Sequence, residues 1–187
     1  MAGIVGSCLA ARATPAGIFH VYTHCVWAAE AFFRDDFDRL TFLRELPRAI
    51  ELAGWTCIAF CLMTTHYHLI IEVPEHGLQL GMHRLNFRYA MHFNRRHVMK
   101  GHVQGRRYGA TRISDEDFLL DRYKYVARNA DEAGLCDHPA AWIWSSYAGT
   151  VGLREPYSFV NANPILACFD CPSAVAVARL REFVEKG

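Results

Sequence analysis

The tightest constraint on this chain is a pair of β-forming runs with almost nothing between them. Residues 55–63 and 66–73 are dominated by β-branched, aromatic and aliphatic side chains, and only Thr64 and Thr65 separate them. So short a connection joins antiparallel neighbours, and the pair therefore reads as a hairpin ended by Pro74. Residues 18–27 form a further β-rich run, and residues 108–113 a short one. Elsewhere the period changes to that of a helix. Phe37, Leu40, Leu43, Leu46 and Ile50 predict a helix over residues 35–53, stopped by Gly54. Leu78, Met82, Leu85, Tyr89 and Phe93 predict a second over residues 78–97, with Arg84, Arg88, His92 and Arg95 as its other stripe. Ser114 at the cap and Asp117 three residues on predict the start of a third. The order strand, helix, strand, strand, helix, strand, helix predicts an α+β domain with an antiparallel sheet, ferredoxin-like or RRM-like. Residues 1–16 read as a flexible N-terminal tail, 17–150 as the domain, and 151–187 as a C-terminal helical extension ending in a helix over 173–186.

Charge is distributed more tellingly than its net value of +1 suggests. Residues 76–114 contain no Asp or Glu, yet hold Arg84, Arg88, Arg95, Arg96, Lys100, Arg106, Arg107 and Arg112. Removing these 8 from the 20 basic residues leaves 12 against 19 acids, so the rest of the chain carries −7. A solvated helix face mixes both signs, whereas an unmixed cationic stretch is the footprint expected for a polyanion. No apolar run approaches the roughly 20 residues of a spanning helix, so no membrane partner is expected. Residues 1–17 lack the basic start and apolar centre of a secretory signal. With seven irregularly spaced cysteines, this predicts reduced thiols in a cytoplasmic compartment.

Two places hold residues suited to chemistry. On a strand, side chains alternate, so His66 and His68 point to one face and Tyr67 to the other. Two imidazoles side by side can chelate a cation, although two unrelated histidines would produce the same spacing. On the third helix, Leu119, Tyr123, Val126, Ala127 and Ala130 fall on one face at 100° per residue, which predicts the core side. Tyr125 and Asn129 lie one turn apart on the other side, with Arg122 beside them. Tyr125 is thus either an ordinary surface tyrosine or one displayed beside an amide oxygen suited to a metal.

The segment Cys61-Leu62-Met63-Thr64-Thr65-His66-Tyr67-His68-Leu69-Ile70 resembles the HUH motif of single-tyrosine transposases, and most closely that of their REP-associated relatives. Phe19-His20-Val21-Tyr22 is similar to that family's opening strand, and residues 84–97 to its basic helix. Tyr125-Val126-Ala127-Arg128-Asn129 followed by Ala133-Gly134-Leu135 resembles its nucleophile helix, and Trp144-Ser145-Ser146-Tyr147 the segment that closes the domain. The likeness runs in order over roughly residues 17–150.

The resemblance implies an HUH endonuclease fold over residues 17–150 and cleavage and transfer of single-stranded DNA through a 5′-phosphotyrosine on Tyr125. It further implies a divalent metal, Mg²⁺ or Mn²⁺, held by His66, His68 and Asn129, and no nucleotide cofactor. Single-stranded or hairpin DNA would lie on Arg84, Arg88, Arg95, Arg96, Arg106 and Arg107. The implied setting is the prokaryotic cytoplasm at the nucleoid, with monomer and homodimer both open. The chain departs from the family at Thr64-Thr65, where Pro-Asn is usual, and at Ala130-Asp131-Glu132, where Pro-Val-Arg is usual. It also lacks the usual aromatic in the loop at residues 101–106. The alternative is a catalytically idle nucleic-acid-binding protein of the same fold, which would need none of His66, His68, Tyr125 and Asn129.

Overall fold

The computed structural model describes residues 14–24, 31–101, 103 and 108–186, with the side chain of His24 left out. The chain runs through β1 (Gly17–His24), α1 (Asp36–Ala53), β2 (Thr56–Leu62), β3 (His66–Val73), α2 (Gly77–His97), β4 (Gly109–Ile113) and α3 (Glu116–Glu132). A 3₁₀ turn (Pro139–Ala141) and three helices follow: α4 (Tyr147–Thr150), α5 (Asn163–Ala167) and α6 (Ser173–Glu185). The four strands form one sheet in the order β2-β3-β1-β4, each pair antiparallel. This is the ferredoxin-like order, and β3, which carries His66 and His68, is an interior strand.

The hairpin forms where the sequence puts it, with Thr64 and Thr65 between the strands and Met63 N–H donating to the His66 carbonyl at 2.9 Å. Strand alternation then sorts the side chains into two cores. Phe19, Val21, Tyr67, Leu69 and Ile71 face α1 and α2, where Phe42, Leu46, Leu85 and Tyr89 meet them. Cys61, Ile70 and Ile113 face α3, whose Leu119, Tyr123, Val126, Ala127 and Ala130 are buried as the helical projection predicts. Ile165, Leu180 and Val184 of α5 and α6 complete this second core. Each large apolar side chain so buried contributes about 1.5–3 kcal/mol relative to exposure.

Two expectations change. Phe37 and Leu40 are each 56 % exposed, and α1 instead buries Asp38, Thr41 and Glu45 beside its apolar residues. The reason lies on α2, whose cations turn toward α1 and make carboxylates the better partners there. The cap of α3 shifts by one residue: Asp115 accepts from Phe118 N–H at 2.9 Å, while Ser114 Oγ donates to Asp115 at 2.6 Å. A carboxylate is the stronger acceptor for the positive helix end.

The closing segment has a specific task. Leu62 N–H donates to the Trp144 carbonyl at 2.9 Å, Ser146 N–H to the Phe60 carbonyl at 3.0 Å, and Phe60 N–H to Ser146 Oγ at 3.0 Å. Residues 144–146 thereby occupy the outer edge of β2, which would otherwise present unpaired backbone groups. Close packing also fixes α2 against the hairpin. The Trp55 indole donates to the Gly77 carbonyl at 3.1 Å, and a Cβ at Gly81 would lie 2.1 Å from its ring.

Candidate active site

The two faces of the sheet differ in chemistry as well as in packing. Tyr67 points into the α1–α2 core and donates to Asn86 Oδ1 at 2.7 Å. His66 and His68 point the other way, toward α3, with ring centroids 4.9 Å apart at 85°. His66 Nδ1 lies 3.0 Å from Thr65 Oγ1, and His68 Nδ1 lies 3.0 Å from His20 Nε2. With Nδ1 of each ring engaged by a neighbour, Nε2 is the nitrogen through which either would take a cation.

α3 crosses this face with the geometry the sequence predicts. Tyr123 turns inward and is 1 % exposed, and burial pushes its phenol above the ordinary range. Tyr125 turns outward, 39 % exposed, and sets its ring edge-on to His68 at 5.3 Å and to His20 at 5.8 Å. The Arg122 guanidinium sits 5.5 Å from the Tyr125 ring centroid and 5.2 Å from that of Phe118. Its Nε is buried without a hydrogen-bond partner. Asn129 lies one turn beyond Tyr125, half-buried. Helical register puts it on the Tyr125 side, while the ring contacts among the described residues join His20, Tyr22, His66, His68 and Tyr125. Asp131 and Glu132, the acids at the end of α3, are met by Arg128 Nε at 3.5 and 3.4 Å.

His20 and Tyr22 are the residues to which the sequence reading gave no role. Both alternate onto the α3 face of β1. His20 stacks on His68 at 5.1 Å and 26°. Burial, and secondarily the charge of Arg122, lower its pKa to about 4, so it is neutral at pH 7. Tyr22 pairs with Gly109 across the β1–β4 ladder, and its ring lies where a Gly109 Cβ would be, 2.3 Å away. The available signal was His20 and Tyr22 at alternate positions of β1, with the apolar Phe19 and Val21 interleaved in phase with the core.

The basic helix lies elsewhere. α2 packs on the face opposite His66 and His68, and its cations meet acids of α1. The buried Glu45 carboxylate gathers Arg48 at 2.7 Å, Arg88 and His92 at 3.6 Å and Arg84 at 3.8 Å. Arg96 pairs with Asp35 at 2.5 Å and Asp38 at 2.7 Å, and Arg95 is exposed. Arg106 and Arg107 lie outside the described residues. Among the described residues no group of three His, Cys, Asp or Glu side chains is arranged to hold a cation. A ligand set built on His66 and His68 would need an amide, a phosphate oxygen or water to complete it. For an octahedral ion such as Mg²⁺ or Mn²⁺, those oxygens would have to fill the positions that two imidazoles leave.

A four-stranded antiparallel sheet with paired histidines facing a displayed tyrosine defines the class of the single-tyrosine transposases. The model of the IS200-like transposase family matches residues 18–129, well over half of the chain, and the chain belongs to that family. A solved structure of a REP-associated tyrosine transposase bound to a REP hairpin is similar in fold, with a TM-score of 0.65. Its sequence is 12 % identical, and the likeness covers 81 % of this chain and 88 % of that one. No curated protein matches the chain. No helix among the described residues is long and apolar enough to cross a membrane.

Proposed function

We propose that this transposase-family protein cuts and rejoins single-stranded DNA, with Tyr125 as the nucleophile. The reading is carried by one observation: Tyr125 is exposed yet held edge-on to His68 and His20 of its own chain. The Tyr125 oxygen attacks the scissile phosphorus and the bond from phosphorus to the 3′ oxygen breaks. The products are a 5′-phosphotyrosine and a 3′-hydroxyl that takes up the proton. Rejoining is the reverse attack by a 3′-hydroxyl. The link conserves the phosphodiester's energy, so no nucleotide is consumed.

His66 and His68, with Asn129 as the oxygen donor, would hold the divalent ion, Mg²⁺ or Mn²⁺. When bound, such an ion polarises a nonbridging phosphate oxygen. Arg122, partnerless at Nε and 5.5 Å from the Tyr125 ring, supplies positive charge beside the attacking group. The substrate class is single-stranded DNA carrying a hairpin, as in the REP-hairpin complex of the similar structure. Arg84, Arg88, Arg95 and Arg96 would bind phosphates away from the cut, together with Arg106 and Arg107.

Hairpin-bearing single-stranded DNA and Mn²⁺ should yield a covalent protein–DNA adduct with the wild type and none with Tyr125→Phe. Tyr123→Phe should keep it. An adduct surviving in Tyr125→Phe, or mapped by mass spectrometry to Tyr123 or Tyr147, defeats this assignment. A protein that binds the DNA but never forms an adduct is the idle binding module.

A further inference from the structure

The structure assigns His20 as a positioning residue that fixes which nitrogen of His68 carries a proton and so presents the other to a cation. The inference rests on the metal-dependent reading above. The two rings are buried, at 5 % and 3 % exposure, and meet through one hydrogen bond of 3.0 Å between His20 Nε2 and His68 Nδ1. One proton lies in that bond, and either ring can supply it.

If His20 Nε2 donates, neutral His68 carries its own proton on Nε2, and that nitrogen has no lone pair for a metal. If His68 Nδ1 donates, His20 Nε2 accepts and the lone pair of His68 Nε2 is available. Only the second arrangement is compatible with His68 as a ligand through Nε2. The sheet fixes where the two rings meet. β1 and β3 are antiparallel neighbours, with His20 opposite Ile70 and Tyr22 opposite His68, so the His20 ring is diagonal to His68 on one face. Its stacking at 26° and the Tyr125 edge at 73° hold the His20 ring on two sides. His66 receives a different partner, Thr65 Oγ1, at the same Nδ1 position. Each histidine of the pair thus has its own orienting neighbour, one from the hairpin turn and one from the next strand.

The test separates an acceptor from a filler. Gln at position 20 offers a carbonyl oxygen that can replace Nε2 as acceptor, whereas Leu fills space and accepts nothing. Free Mn²⁺ is measured by electron paramagnetic resonance during titration of the wild type, His20→Gln, His20→Leu, His66→Ala and His68→Ala, alongside melting temperature. His20→Leu should weaken Mn²⁺ binding by about 10- to 100-fold, the usual cost of losing an orienting partner, while His20→Gln stays within a few-fold of wild type. Equal weakening in Gln and Leu, or none in Leu, overturns the assignment while His68→Ala still abolishes binding. If His66→Ala and His68→Ala change nothing either, the metal reading itself has failed, and the role of His20 falls with it. Should His20→Leu not fold, nitrogen-15 spectra of the wild type with Mg²⁺ decide: His68 protonated on Nδ1 supports the assignment, and His68 protonated on Nε2 overturns it.

Discussion

At the scale of single residues, the site is built by contrasting environments for like side chains. Tyr123 and Tyr125 are two positions apart, yet one is sealed in the core and the other faces the histidines. A phenol whose ionisation is opposed by burial is a poor nucleophile, so the helical projection alone separates the packing tyrosine from the reactive candidate. His20 and His68 differ in partners rather than burial. The lowered pKa of His20 also makes a measurable prediction. The unfolded chain binds a proton on this residue near pH 6.5, whereas the folded protein resists until about pH 4. Folding stability should therefore fall as pH drops from 6.5 to 4, by about 3 kcal/mol from this group once 1.36 kcal/mol per unit is applied. Urea midpoints of metal-free wild type and His20→Gln across that range isolate the effect, since other titrating groups are common to both. Parallel curves for the two proteins would count against a neutral, buried His20.

At the scale of elements, what could be read from the sequence depended on whether one stripe sufficed to place a helix. α3 has one apolar face and one exposed face, and its buried residues are the ones periodicity names. The hairpin was legible because two residues allow only one kind of connection. α1 was harder to read. Its apolar spacing included Phe37 and Leu40, but its true inner face contains Asp38 and Glu45, which are buried because α2 brings cations to them. Periodicity in one helix does not reveal the charge on its neighbour. For the same reason the arginine stripe of α2 read as wholly outward, whereas three of its members hold acids of α1. Glu45 alone faces Arg48, Arg84, Arg88 and His92, so positive charge remains in excess there. If α2 binds DNA phosphates, replacing Arg84, Arg88 and Arg95 together by Gln should reduce the log–log salt slope of single-strand affinity by about two, at roughly 0.7 per contact. An unchanged slope would move the DNA contacts to other residues. Glu45→Gln should cost stability instead, by about 1–3 kcal/mol in denaturant titration, because it leaves these basic side chains facing one another without their shared negative charge.

At the scale of the whole molecule, the question is whether Tyr125 serves the histidines of its own chain. α3 is fixed at both of its flanks. Its core face packs on Cys61 and Ile70 of the sheet, and Leu180 and Val184 of α6 join the same core. Lys124, next to Tyr125, donates to the Lys186 carbonyl at 3.2 Å and lies 5.0 Å from the Phe183 ring. Tyr147 donates to Glu185 at 3.2 Å, tying α6 to the segment that seals β2. Exchanging α3 between two copies without α6 would part Lys124 from Lys186 and Phe183 of its own chain. On the proposed chemistry, each chain should then be self-sufficient. Mixing Tyr125→Phe with His66→Ala, each inactive alone, should restore no adduct at any protein ratio. An exchanged dimer behaves differently: random pairing at equal amounts makes half the dimers mixed, each with one intact site of two, so about a quarter of wild-type adduct would return. Gel quantification of adduct across mixing ratios distinguishes zero from a quarter easily, and recovery in the mixture would mean that α3 reaches a partner's histidines despite its anchoring by α6.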